Sequence, residues 1–197
     1  MKNKILFAVF SAIGFNVQAA DLNKTYFELG YSHSDMGNRN SPQPSGIQFG
    51  FGYEFENGLY AGFNAKRQRD TLERPNYQLD VDLDENLLEL GYIAYATQSG
   101  RFSFGATLGE MSLSLEDRTR DGSFYRFHTE YEHSFNQYFS AFARLGYEYF
   151  DPEQAKNDEG AWAELGITAR LGVSSLTWKY HNGQGIDRLG LVYRYHF

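Results

Sequence analysis

The chain has 197 residues, a length that suits one domain. A formal net charge of −7 and the lack of any basic stripe argue against nucleic-acid binding. The absence of cysteine excludes disulfides and a lipidated N-terminal cysteine. With 15 Tyr, 17 Phe and 20 Gly against only 4 Pro, the composition is unusual for a soluble fold. Its mean hydropathy is hydrophilic, which rules out a bundle of apolar helices but not a sheet in which alternate residues face different solvents.

The first element is a leader. Lys2 and Lys4 precede an apolar run from Ile5 to Phe15, followed by Val17-Gln18-Ala19-Ala20. A basic start, a short apolar core and a small-residue site spell a secretory signal peptide over residues 1–19, with cleavage expected after Ala19 or Ala20. The run is too short to be a membrane-spanning helix, which needs about 20 apolar residues. Removing it leaves a single domain over residues 20–197, with 16 Lys and Arg against 25 Asp and Glu, so the net charge becomes −9.

Beyond the leader, apolar and polar residues alternate along almost the whole chain. Phe27, Leu29 and Tyr31 begin the pattern, and Ile47, Phe49, Phe51, Tyr53 and Phe55 continue it. Asn57-Gly58 is a hairpin signal. The period of two predicts ten strands, near 24–34, 46–56, 58–70, 77–96, 101–116, 122–134, 138–150, 160–171, 175–182 and 186–197. An eight-strand count stays open if one hairpin is not membrane-embedded. Tight turns are expected near Asn57, Ser99, Asn136 and Ser174. Longer connections, rich in Asp, Asn, Pro and Arg, are expected near 35–45, 70–77, 117–122 and 151–159, with a short one at Asn182 to Gly185.

The last strand alternates Leu189, Leu191, Tyr193, Tyr195 and Phe197 with Gly190, Arg194 and His196, and its final residue is aromatic. It resembles the C-terminal strand of bacterial outer-membrane β-barrels, in particular the small OmpA/OmpX-like barrels. The resemblance covers the mature chain and rests on architecture and on this strand. It implies an all-β, closed, antiparallel up-and-down transmembrane barrel with no periplasmic domain after Phe197. It also implies that Tyr193, Tyr195 and Phe197 form the signal read by the barrel-assembly machinery. Ten is an even number, as single-chain bacterial barrels require, and most of the segments reach the 9–11 residues needed to cross.

A smaller repeat lies within the pattern: a charge, Leu, Gly and an apolar residue, beginning at Glu28, Glu89, Arg144, Glu164 and Arg188. In a barrel, Leu faces lipid while the charge and glycine face the lumen, where confined charges need partners. A hairpin centred near residue 154 sets Arg144 opposite Glu164, and closure brings Arg188 to the strand carrying Glu28. The reading is a lumen ion-pair network of Glu28, Glu89, Arg126, Glu130, Arg144, Glu164, Arg170, Lys179, Arg188 and Arg194. Inward glycine is expected to make room for long charged neighbours.

The alternation also changes parity. Leu79, Val81 and Leu83 are odd-numbered but Leu88 to Ala96 are even; Phe102 to Leu108 are even but Met111, Leu113 and Leu115 are odd. A paired β-bulge at matching heights is the expectation, with the hairpin above it projecting beyond the membrane and carrying the acidic run Asp80 to Glu85.

Asp80, Asp82 and Asp84 have the opening spacing of a calcium loop, but Glu85 and Gly91 stand where the required Gly and bidentate Glu should be. Loose divalent-cation binding beside lipopolysaccharide phosphates is the weaker candidate, and a solvated charge run the plainer one. The histidines, His33, His128, His133, His181 and His196, have no sequence-adjacent serine on the same strand face, so a serine-hydrolase triad is not evident. Aromatics such as Tyr53, Phe55, Tyr147, Tyr149, Trp178 and Tyr180 suit interfacial girdles, although a soluble lectin-like barrel is an alternative. Three functions compete: a plugged, monomeric barrel presenting acidic loops for surface interaction, adhesion or envelope integrity; a narrow solute pore; and a lipid A-modifying enzyme. The expected partners are outer-membrane lipid, lipopolysaccharide, the assembly machinery and an external ligand or host surface, with no cofactor.

Overall fold

In the computed structural model, which describes residues 25–37, 41–74, 77–115, 118–152, 158–183 and 185–197, ten strands close into one antiparallel barrel. They are β1 (Tyr26–Asp35), β2 (Ser45–Glu54), β3 (Leu59–Arg74), β4 (Tyr77–Ala96), β5 (Gly100–Leu115), β6 (Arg118–Ser134), β7 (Phe139–Pro152), β8 (Asp158–Leu171), β9 (Ser174–Gly183) and β10 (Ile186–His196). Each pairs with its neighbours in sequence, and β10 closes onto β1 from Tyr26 opposite His196 to Asp35 opposite Asp187. The ten-strand reading holds and the eight-strand alternative does not. The signal peptide and its cleavage site lie outside the described residues.

Alternation decides which way each side chain points. Leu29, Leu90, Phe127, Leu145 and Ile167 face outward, with Leu90 and Phe127 63% and 65% exposed. Their in-strand neighbours Glu28, Arg126, Glu130, Glu164 and Thr168 are buried inside. Exposed apolar patches on soluble proteins rarely exceed a few hundred Å², and here such residues encircle the molecule. A closed sheet with an apolar outer face is one of the two architectures that satisfy every backbone group within a bilayer.

The wall is uneven. β1, β2, β9 and β10 contain 10 or 11 residues, while β3 to β6 contain 16 to 20. At roughly 3.4 Å per residue and a tilt of about 40°, ten residues rise about 26 Å, which matches an apolar band of about 25 Å. The β3–β6 wall therefore stands well clear of it. Tight turns at 55–58, 97–99, 135–138 and 172–173 close the other end, with Gly58 at a φ of +83° that a side chain would strain.

Two expectations fail at the tall wall. Residues 71–74 and 118–121 are strand and not loop, because β3 and β6 continue to their tips. No paired bulge underlies the change of parity: Val81 to Ile93 pair with Leu115 to Ser103 without a break, and the register shifts only between Ile93 and Tyr95, beside the turn. From Leu79 to Ile93 the same odd-numbered face of β4 points inward. What changes is the environment. At membrane height the outside is apolar and the inside polar; above it, Val81 and Leu83 are fully buried inside while Asp80 and Asp82 are exposed outside. Glu85, counted with the outer acidic run, is odd-numbered and lies in the lumen.

Candidate functional site

The lumen is built from cross-strand neighbours. At Gly91, Gly146 and Gly166 the space a Cβ would take is filled by the rings of Tyr60, Trp162 and Phe142, each directly opposite on the next strand. At Gly190 it is filled by the Lys179 chain. Inward glycine thus seats aromatic rings at Gly91, Gly146 and Gly166 and long charged side chains at Gly50 (Glu28), Gly183 (Glu148) and Gly190 (Lys179), so the expectation holds in part.

Charges stack in layers between these rings. Near the turn end, Arg101 meets Glu54 at 2.5 Å and Arg170 meets Glu132 at 3.0 Å, with Ser140 donating to Glu132 at 2.8 Å. At mid-height Arg194 Nε donates to Glu28 at 2.9 Å; Asn64 and Gln48 donate to the same carboxylate at 2.6 and 3.2 Å. Arg144 donates to Glu130 through Nε at 2.9 Å and stands 3.6 Å from Glu164, on the strand to its other side. His128 faces Glu89 at 3.3 Å. Higher still, Lys66 at 3.0 Å and Arg188 at 2.5 Å converge on Glu85, and Arg126 bonds Glu148 through Nε at 3.1 Å and Nη2 at 2.7 Å. The Arg126 guanidinium lies 4.5 Å from the Phe124 ring centroid and 4.4 Å from that of Trp162. Directly opposed strand residues account for several of these pairs: Glu28 with Arg194, Lys66 with Glu85, Arg126 with Glu148, and Arg144 with both Glu130 and Glu164.

Arg188 lies opposite Ser34 and reaches across the lumen to Glu85, while Glu28 is taken by Arg194. Lys179 faces inward with no carboxylate within 4.0 Å among the described residues. Glu54, Lys66, Glu85, Arg101, Glu132 and Glu148 join the lumen although they stand outside the repeat. Their inward parity was the signal that would have found them. Eight carboxylates (Glu28, 54, 85, 89, 130, 132, 148 and 164) face eight cations (Lys66, Arg101, Arg126, Arg144, Arg170, Lys179, Arg188 and Arg194). Cavities of about 80 and 30 Å³ lie inside, and both are lined by Glu164 and Lys179. Above them, buried Val81 and Leu83 form an apolar lid.

The outer acids are arranged as a ladder. Arg67 opposes Asp84 at 3.4 Å, Arg69 opposes Asp82 at 3.0 Å, and the Thr71 hydroxyl donates to Asp80 at 2.9 Å. Each of the three candidate cation ligands therefore has its own partner on β3. Among the described residues no three His, Asp or Glu converge as a metal site. The sequence reading missed a cross-strand contact, His33 Nδ1 to Ser45 Oγ at 2.8 Å. It lies on the outer face, and among the described residues no carboxylate is hydrogen-bonded to that ring, so the group that would orient a catalytic histidine is lacking. Tyr195 and Phe197 sit at the foot of β10, where Phe197 stacks with Phe51 at 6.2 Å and with Tyr195 at 6.5 Å.

Among solved structures, the β domain of the Bordetella autotransporter BrkA matches with a TM-score of 0.59 at 12% identity, covering 89% of this chain and all of that one. An outer-membrane channel from Pseudomonas putida F1 matches at 0.53 and 12% identity, covering 95% of this chain and all of that one. The fold is that of an outer-membrane β-barrel. Neisserial surface protein A, at 0.50 and 15% identity over 87% of this chain and 96% of its own, shares it. At such identities the likeness is one of fold. No protein-family model matches the sequence, and neither does any curated protein.

Proposed function

We propose that this outer-membrane barrel resides in the bacterial outer membrane as a closed barrel, exported by residues 1–19, that presents its β3–β6 wall to the exterior. The lumen carries the proposal. Eight cations and eight carboxylates fill it, the cavities between them have room for on the order of ten waters, and an apolar lid covers one end. Ten strands also lie well below the 16–18 of barrels with an aqueous channel. The outer face of the tall wall carries Asp80, Asp82, Asp84, Glu110 and Asp121 against Arg67 and Arg69. An acidic polar surface held clear of the membrane suits an external ligand, a host surface or cation-bridged lipopolysaccharide. Tyr193, Tyr195 and Phe197 serve as the assembly signal in this reading, so deleting Phe197 is expected to lower the heat-modifiable, folded fraction in detergent gels.

A narrow pore is the second reading, favoured by two in-line cavities that meet at Glu164 and Lys179. Planar-bilayer recording separates the two. The closed barrel gives no unitary steps at neutral pH, and regular ion-selective steps would replace the first reading with the second.

A further inference from the structure

We infer that the smaller lumen cavity is a binding site for one halide-sized anion. The cavity of about 30 Å³ is lined by four cations, Lys66, Arg126, Lys179 and Arg188, and by a single carboxylate, Glu164. The nearby acids are already engaged. Glu85 takes Lys66 and Arg188, Glu148 takes Arg126, and Glu164 also stands 3.6 Å from Arg144. Lys179 is left over, with no carboxylate within 4.0 Å among the described residues. Its chain lies flat over Gly190, in contact with the position a Cβ would occupy, which keeps the ammonium between the two cavities.

A second observation points the same way. Arg188 lines the cavity, and its Nε is buried with no hydrogen-bond acceptor among the described residues, as is the Gln48 Oε1 without a donor. Three carboxylates, Glu85, Glu148 and Glu164, stand against the four cations around this cavity. An uncompensated charge in a confined site is costly, and an anion beside Lys179 removes that cost locally. The size of the cavity sets the ligand class. A water needs about 10–15 Å³, so about 30 Å³ admits a chloride or two to three waters.

Anomalous diffraction from the full barrel crystallised in sodium bromide tests this. One bromide peak is expected in contact with Lys179 and Arg188, inside the barrel. The Lys179→Met variant is expected to lose that peak while keeping its heat-modifiable mobility, and Lys179→Arg to keep both. In solution, chloride-35 line broadening by the detergent-solubilised protein should fall to the protein-free value in Lys179→Met. Bromide only at outer-face arginines such as Arg67 and Arg69, water alone in the cavity, or an unchanged peak in Lys179→Met would each overturn the proposal. The readout does not depend on conductance, so it stands or falls separately from the closed-barrel reading.

Discussion

The lower half of β3–β6 and their projecting upper half are one continuous set of strands with opposite polarity. Below, Leu88 and Leu90 face out and Glu85 and Glu89 face in; above, Asp80 and Asp82 face out and Val81 and Leu83 face in. Register and pleat do not change along the way. Only the solvent does. In lipid, the outside must be apolar and the inside carries ion pairs. In water, the outside carries ion pairs and the inside must be apolar. The same kind of interaction is thereby placed in two dielectric settings: Arg144 with Glu130 in the lumen, and Arg69 with Asp82 on the wetted wall.

The largest contrast should come from breaking a lumen pair. Arg144→Met removes the guanidinium shared by Glu130 and Glu164, and loss of one partner from a buried pair costs about 3–5 kcal/mol. Urea unfolding of the barrel refolded in lipid vesicles measures it. A loss below about 1 kcal/mol would mean that the lumen behaves like the wet outer wall. Next is the outer face. Leu165→Arg, at mid-band on β8, is expected to destabilise by about 2–4 kcal/mol. By contrast Ser112→Arg, on the same face of the sheet above the lipid, should stay within about 0.5 kcal/mol. Equal effects would remove the boundary drawn between the two halves.

The ten strands were legible because a period of two survives in both solvents, and strand length alone told which segments cross. The pairing of Arg144 with Glu164 followed from parity and the hairpin centre. The change of parity was not legible in the same way. A bulge and a change of solvent leave an identical trace in the sequence, since each moves the apolar residues from even to odd positions. Nor did the sequence say that Tyr60, Trp162 and Phe142 lie across glycines, because that depends on which residues stand opposite one another, a property of the register between strands. The His33–Ser45 contact escaped for the same reason: it spans two strands at positions that only register brings together. Truncation of Leu83 separates the two explanations of the parity change. As a fully buried lid residue, Leu83→Ala should cost about 2–3 kcal/mol and should loosen the wall locally, seen as faster protease cleavage at the β3–β6 tips. A lipid-facing Leu83, as a bulge would require, would lose little and leave the tips resistant.

The smallest effect is expected on the outer ladder, and it is the most specific test of the comparison. Arg69 is 85% and Asp82 51% exposed at the side chain, so water and salt screen the pair. Asp82→Asn should change stability by less than about 1 kcal/mol, and that difference should vanish in about 1 M salt, where the Debye length is near 3 Å. On the proposed closed-barrel reading, which keeps bulk electrolyte from the lumen, the Arg144→Met penalty should persist in the same salt. A double-mutant cycle for each pair, measured at low and high salt, places the two interactions on one scale. If the lumen pair proved as salt-sensitive as the ladder, electrolyte would be reaching it, and the polarity inversion would no longer mark a boundary between a sealed interior and a wetted wall.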